Sequence, residues 1–223
     1  MPTEPTGRRP LKSRDLPFFK NLAARLARGG ATPNGISFAS IVCGCCAGAA
    51  LAATAHFDGW AGRACWLGAA VGIQLRLVAN LLDGMVAVEG RKGGPVGDLW
   101  NEAPDRVSDA AIFIGASYAA GSAPVLGFAA ALVAVFVAYV RALGAGLGAG
   151  QCFLGPQAKP QRMALMTGVC VLTAAVPLYP TAIGEQPLPA LAIALWVVIV
   201  GGVITAWRRL AFIADFLRKK SHP

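Results

Sequence analysis

A chain of 223 residues that is 56% hydrophobic and only 14% charged, with a mean hydropathy of +0.57, is no ordinary soluble domain. Its apolar residues come in runs of about twenty, the length that crosses a hydrocarbon core of roughly 30 Å, so the chain reads as an all-α integral membrane protein rather than a barrel. The net charge of +9 does not mark a nucleic-acid binder, because the positions of the charges answer a different question, treated below.

Residues 1–13 read as a disordered basic tail. In the stretch DLPFFKNLAARLARGG, residues 15–30, Leu16, Phe19, Leu22 and Leu26 share one helical face, while Lys20, Arg25 and Arg28 lie elsewhere. That pattern predicts an amphipathic helix lying in the membrane interface. More than thirty polar and amphipathic residues precede the first apolar run, which argues against a cleaved signal peptide. Six transmembrane helices are then predicted, at about residues 34–54, 62–82, 101–121, 125–147, 161–179 and 188–208. Short connections make this a single six-transmembrane-helix bundle. The organisation is therefore a tail and interfacial helix at residues 1–30, a transmembrane catalytic domain at 31–210 and a basic cytoplasmic tail at 211–223.

Of the 20 Lys and Arg residues, seven precede the first span, five follow the last, and Arg91, Lys92, Lys159 and Arg162 fall in or near the even loops; only Arg63 lies on the opposite side. The positive-inside rule then puts both termini and the even loops in the cytoplasm, in a cell or inner membrane. The basic excess is a topology signal with affinity for anionic headgroups, and no nucleic acid is expected. Arg76, Arg106 and Arg141 remain within or at the edge of spans, where charge is costly and marks function by default. The CGCC at residues 43–46 lies among Gly and Ala with no His nearby, which suits close helix packing better than a metal cluster.

The polar residues gather in two places. Arg76, Asn80 and Asp83 share a helical face at the end of the second span, within NLLDGMVA and the turn before it. Asn101 and Asp105 are four apart in NEAPDRVSD, with Asp98 and Asp109 about a turn away. The loop EGRKGGPVG must turn the chain back sharply between them, so that two helix faces present oxygen ligands to each other. Clustered oxygens of this kind bind hard divalent cations, usually with phosphate completing the shell. Other roles are open. Asn101, followed by Pro104, also reads as a helix N-cap; Asp98 as a solvated loop residue; Arg106 and Asp109 as an ion pair; Arg141, Lys159 and Arg162 as membrane anchors. Gly84 allows a helix end or a phosphate to come close.

These residues resemble the CDP-alcohol phosphotransferase family, whose pattern is D-x-x-D-G-x-x-A-R, eight residues, then G-x-x-x-D-x-x-x-D. Asp83, Gly84, Ala87, Gly97 and Asp105 match in identity and register. TPN at Thr32, Pro33 and Asn34 resembles the start of the family's first helix, and DRVSD resembles phosphatidylinositol-phosphate synthase-like members. YVRA at residues 139–142 and KPQRMAL at 159–165 fall where those members carry basic residues for the acceptor's phosphate. The departures are Asn80 and Asn101 in place of the first and third aspartates, and Val88 in place of arginine. Each asparagine keeps an oxygen but loses a charge; Glu102, Asp98 or Asp109 would have to compensate in a two-metal centre.

The resemblance implies a phosphatidyltransferase of phospholipid biosynthesis. It would move a substituted phosphoryl group from a CDP-alcohol, with CDP-diacylglycerol the expected donor, to a phosphorylated polyol, releasing CMP. It further implies Mg2+ or Mn2+ held by Asn80, Asp83, Asn101 and Asp105; Asp105 as general base; and a CDP-alcohol site at Thr32, Pro33, Asn34, Gly84, Ala87 and Gly97. Arg141, Lys159 and Arg162 would take the acceptor phosphate, and a homodimer among membrane lipids is expected. A relative that binds CDP-lipid or a lipid headgroup without turnover is the rival reading, and a small transporter a third.

Overall fold

The computed structural model describes residues 15–89, 97–176 and 190–221, with residues 89, 97, 98, 100, 101 and 221 described by their backbone alone. The expected glycine-rich turn and the side chains of Asp98 and Asn101 lie outside the described residues, as does the N-terminal tail. The described residues form α1 (Pro17–Arg28), α2 (Pro33–Ala53), α3 (Gly59–Glu89), α4 (Gly97–Ser117), α5 (Pro124–Gly146), α6 (Lys159–Ala175) and α7 (Ala190–Ser221). Proline opens α1, α2, α5 and α6, where its missing N–H costs nothing. The Thr32 hydroxyl caps α2 by accepting from the Gly35 amide at 3.1 Å.

Among the described residues four helices, α2, α3, α5 and α7, are long and apolar enough to cross a membrane. The other two expected spans correspond to α4, whose first half is charged, and α6, which has 17 residues. Three boundaries differ from expectation in ways that bear on function. α3 is 31 residues long and runs without a break through Asp83 and Gly84, so Gly84 is interior helix and not a helix end. α4 begins at Gly97, which makes Asn101 an interior residue rather than the N-cap and leaves Pro104 well inside the helix. α7 has 32 residues, and the basic tail after residue 208 is its continuation.

Small residues set the packing. α2 packs against α3 and α4, α3 also against α6 and α1, and α5 against α4 and α7. A Cβ on Gly115 of α4 would stand 2.1 Å from the Gly48 carbonyl oxygen of α2, and one on Gly44 would stand 2.5 Å from the Ser108 Cβ. Backbone contact of this closeness is available only to glycine. It explains the glycine within CGCC. The core around it includes Leu51, Trp66, Ile73, Ile112, Phe113, Met163, Met166 and Leu195. The apolar face of α1 rests on α3, with Phe19, Leu22 and Leu26 around Ala23, Leu82 and Val86, whereas Leu16 and Phe18 are exposed. This contact fastens α1 beside the last turns of α3.

Candidate active site

The charged side chains converge at the end of the bundle where α2, α4 and α6 begin and α3 and α5 finish. α3 supplies Arg76, Asn80 and Asp83; α4 supplies Glu102, Asp105, Arg106, Ser108 and Asp109; α5 supplies Arg141; α6 supplies Lys159 and Arg162. Spacings of three and four residues along each helix align these groups on inward faces.

Arg76 is the centre of the frame and is fully buried. Its Nε donates to Ser108 Oγ at 3.0 Å, and its Nη2 donates to the Asp105 carbonyl at 3.2 Å and to Asp105 Oδ1 at 3.1 Å. The same Nη2 lies 2.6 Å from Asp109 Oδ1. Asp109 is held from its other side by Arg162, whose Nη2 donates to Oδ2 at 3.0 Å while Nη1 donates to the Gln157 carbonyl at 3.1 Å. Arg76, Asp109 and Arg162 are each at most 2% exposed, so α3, α4 and α6 are joined by an ion triad shut off from solvent. The Arg106–Asp109 pair considered from sequence is not formed: Asp109 takes Arg76 and Arg162, and Arg106 takes Glu102 one turn earlier.

Lys159 stands nearer the opening. Its Nζ donates both to Asn80 Oδ1 and to Asp105 Oδ2, bridging α3 and α4. Asp105 is therefore engaged on both oxygens, by Arg76 and by Lys159. Glu102, half-exposed, accepts from Arg106 and from Arg141 across the α4–α5 boundary. Asp83 faces α2: its Oδ2 accepts from Ser37 Oγ at 2.7 Å, and its Oδ1 accepts from the Gly84 amide.

Asn80, Asp83, Asp105, Arg141, Lys159 and Arg162, all expected from sequence, are thus brought to one end of the bundle. Thr32 and Asn34 are exposed at the start of α2, and Gly84 and Ala87 are partly exposed on α3. Arg162 is turned inward onto Asp109 and is 2% exposed. Sequence reasoning did not find Ser37 or Ser108. The available signal was the face Ser37, Ser40, Gly44, Ala47, Gly48 and Leu51, small and buried at helical spacing, which marks α2 as the helix against which α3 and α4 press.

Among the described side chains of the cluster the charges do not cancel. Asp83, Glu102, Asp105 and Asp109 face Arg76, Arg106, Arg141, Lys159 and Arg162, which leaves one positive charge over. No three His, Cys, Asp or Glu side chains among the described residues are grouped so as to hold a metal ion. The arrangement favours an anionic ligand.

No family model matches this sequence, and no curated protein matches it either. The fold, by contrast, has close counterparts among solved structures, three of them of Mycobacterium tuberculosis phosphatidylinositol phosphate synthase. With CDP-DAG bound, that protein superposes at a TM-score of 0.70 with 20% identity, over 89% of this chain and 94% of that chain. In complex with manganese and citrate the values are 0.69 and 21%, over 87% and 88%. In the apo form they are 0.66 and 20%, over 86% and 94%. The two chains share an architecture along nearly their whole lengths.

Proposed function

We propose that this protein is a membrane-embedded phosphatidyltransferase that moves a substituted phosphoryl group from a CDP-alcohol, CDP-diacylglycerol in the first instance, to the hydroxyl of a phosphorylated alcohol, releasing CMP. The observation that carries the reading is the cluster around Asp105: an aspartate of α4, in the register of the motif, engaged on one oxygen by Arg76 of α3 and on the other by Lys159 of α6. A fold shared with a synthase solved with CDP-DAG bound supports it.

The reaction makes a bond between the acceptor oxygen and the lipid-bearing phosphorus and breaks the bond from that phosphorus to the bridging oxygen, which leaves with CMP. The acceptor hydroxyl must lose its proton as it attacks, and Asp105 Oδ2 is the group to receive it. That oxygen first has to be released by Lys159. A lysine ammonium on a flexible stem can swing from a carboxylate to an incoming phosphate, so arrival of the anionic donor both neutralises its own charge and exposes the base. Arg76 keeps Asp105 oriented through Oδ1. Arg141, partly exposed and sharing Glu102 with Arg106, is available to the acceptor's phosphate. Arg162 acts indirectly, by holding Asp109 against Arg76.

Of the residues to which the resemblance assigns a divalent metal, those whose side chains are described, Asn80, Asp83 and Asp105, are engaged with other partners and do not offer it a ready site. Asn80 and Asp105 already share an ammonium, Asp83 is engaged by Ser37 and Gly84, and among the described side chains of the cluster cations outnumber carboxylates. Mg2+ or Mn2+ is therefore read as entering with the pyrophosphate, as part of the substrate. Six crossings, α1 in the membrane interface, a cytoplasmic site and a homodimer complete the proposal.

The test is CMP release by the purified protein supplied with CDP-diacylglycerol, Mg2+ or Mn2+ and a panel of phosphorylated alcohols. Asp105→Asn should reduce release by at least about 100-fold, the lower range for loss of a general base. No CMP with any acceptor, while CDP-lipid still binds, would instead establish the second reading, a CDP-lipid binder. The neutralisation of Asp105 by Lys159 is the observation in favour of that alternative.

A further inference from the structure

We infer that Lys159 is a built-in cation occupying the position between Asn80 and Asp105, so that the site without its donor retains no divalent metal there. The inference rests on the reading of this cluster as the transfer site, and it concerns what neutralises that site at rest.

Three observations point the same way. Lys159 Nζ donates simultaneously to an oxygen of α3 and an oxygen of α4, the two helices whose facing carboxyl groups would have to share an ion. One of those oxygens belongs to a carboxamide. Asn80 offers a lone pair without a charge, enough for an ammonium hydrogen bond and weak for a hard dication, which selects anionic oxygens. The surrounding charge completes the argument, since the described cations already outnumber the carboxylates by one. A dication placed between Asn80 and Asp105 would have to expel Lys159 and would then sit beside Arg76 with Asp105 as its sole charged ligand from that pair. An aspartate at position 80 would reverse the preference. With a carboxamide at position 80, a fixed monovalent cation with a neutral partner stands where an anionic partner would favour a bound dication.

The test measures Mn2+ binding by electron paramagnetic resonance on full-length protein in detergent, without nucleotide. Wild type should show no saturable binding up to about millimolar Mn2+, and its melting temperature should be the same in Mn2+ and in EDTA. The double variant Asn80→Asp with Lys159→Met should gain a saturable site at least about tenfold tighter than any residual wild-type binding, and adding Asp105→Asn should remove it again. Saturable Mn2+ binding by wild type that Asp105→Asn abolishes would overturn the inference, as would a folded double variant that gains no site. If the double variant does not fold, the wild-type titration and the Mn2+ against EDTA melting comparison decide alone. Failure here is distinct from failure of the proposed function, which is read from CMP release in the presence of metal and donor.

Discussion

At the residue scale, burial decides which ion pairs matter. Asp109 is 2% exposed and lies between two enclosed arginines, so removing its charge leaves Arg162 without its carboxylate and Arg76 with Asp105 alone. Breaking such a buried arrangement typically costs about 3–5 kcal/mol. Asp109→Asn is expected to lower the melting temperature sharply and to reduce the yield of folded protein in detergent. Glu102 offers the contrast. Its side chain is 47% exposed, and pairs in such surroundings contribute about 0–1 kcal/mol. Glu102→Gln should melt within a few degrees of wild type, and comparable destabilisation by the two variants would contradict this division. The sequence made the acids visible but not their partners. Asp109 and Arg106, close in sequence, suggested a local pair, whereas the side chains that meet Asp109 come from α3 and α6. Helical spacing specifies which residues share a face, not which other helix that face meets.

At the element scale, the site depends on how closely α2 and α4 approach. Gly115 lies against the Gly48 backbone, where a methyl group has no space. Gly115→Ala must force the helices apart, at a cost of about 1–3 kcal/mol for overpacking and more where backbone has to move. Displacing α4 also displaces Asp105 from Arg76, so CMP release should fall along with the melting temperature. Gly168→Ala is the control: a Cβ there meets nothing within 4 Å, and the change should be neutral or slightly stabilising. Thermal melts of both variants in the same detergent check the pair. Helix positions were legible from apolar runs, to within about a turn for α2 and α5. The ends of α3 and α4 were not, because polar residues that continue a helix into a buried charged cluster look like a loop in one dimension. Ser37 was hidden for the same reason, since its role appears only when Asp83 is seen to point at α2.

At the scale of the whole molecule, the charged cluster, the start of α2 and the end of α7 belong to one end of the bundle, and the basic residues Arg209, Arg218, Lys219 and Lys220 follow residue 208 on α7. Retention of positive charge on the cytoplasmic side then requires an even number of crossings. Green fluorescent protein fused to either terminus should fluoresce, and alkaline phosphatase fused to either terminus should be inactive. Opposite behaviour at the two ends would exclude six crossings. The even-loop arginines and lysines carried this expectation, and the segment from 90 to 96 that holds Arg91 and Lys92 lies outside the described residues.

The uninterrupted length of α3 has a consequence for depth. Trp60, 84% exposed beside Arg63, is the kind of residue that sits at headgroup level, and can be taken as one boundary of the hydrocarbon on the proposed topology. At about 1.5 Å per residue, a layer roughly 30 Å thick is used up some twenty residues later. That count ends at Asn80. On that count the remaining turns, with Asp83, Gly84 and Ala87, would emerge among the opposite headgroups, at the level where a phospholipid carries its own phosphates. A donor anchored by two acyl chains would therefore meet Lys159 without being lifted from its leaflet, while a water-soluble acceptor could approach from above. The helix works as a depth gauge, bringing a lipid and a polar reactant together at the boundary between their two solvents.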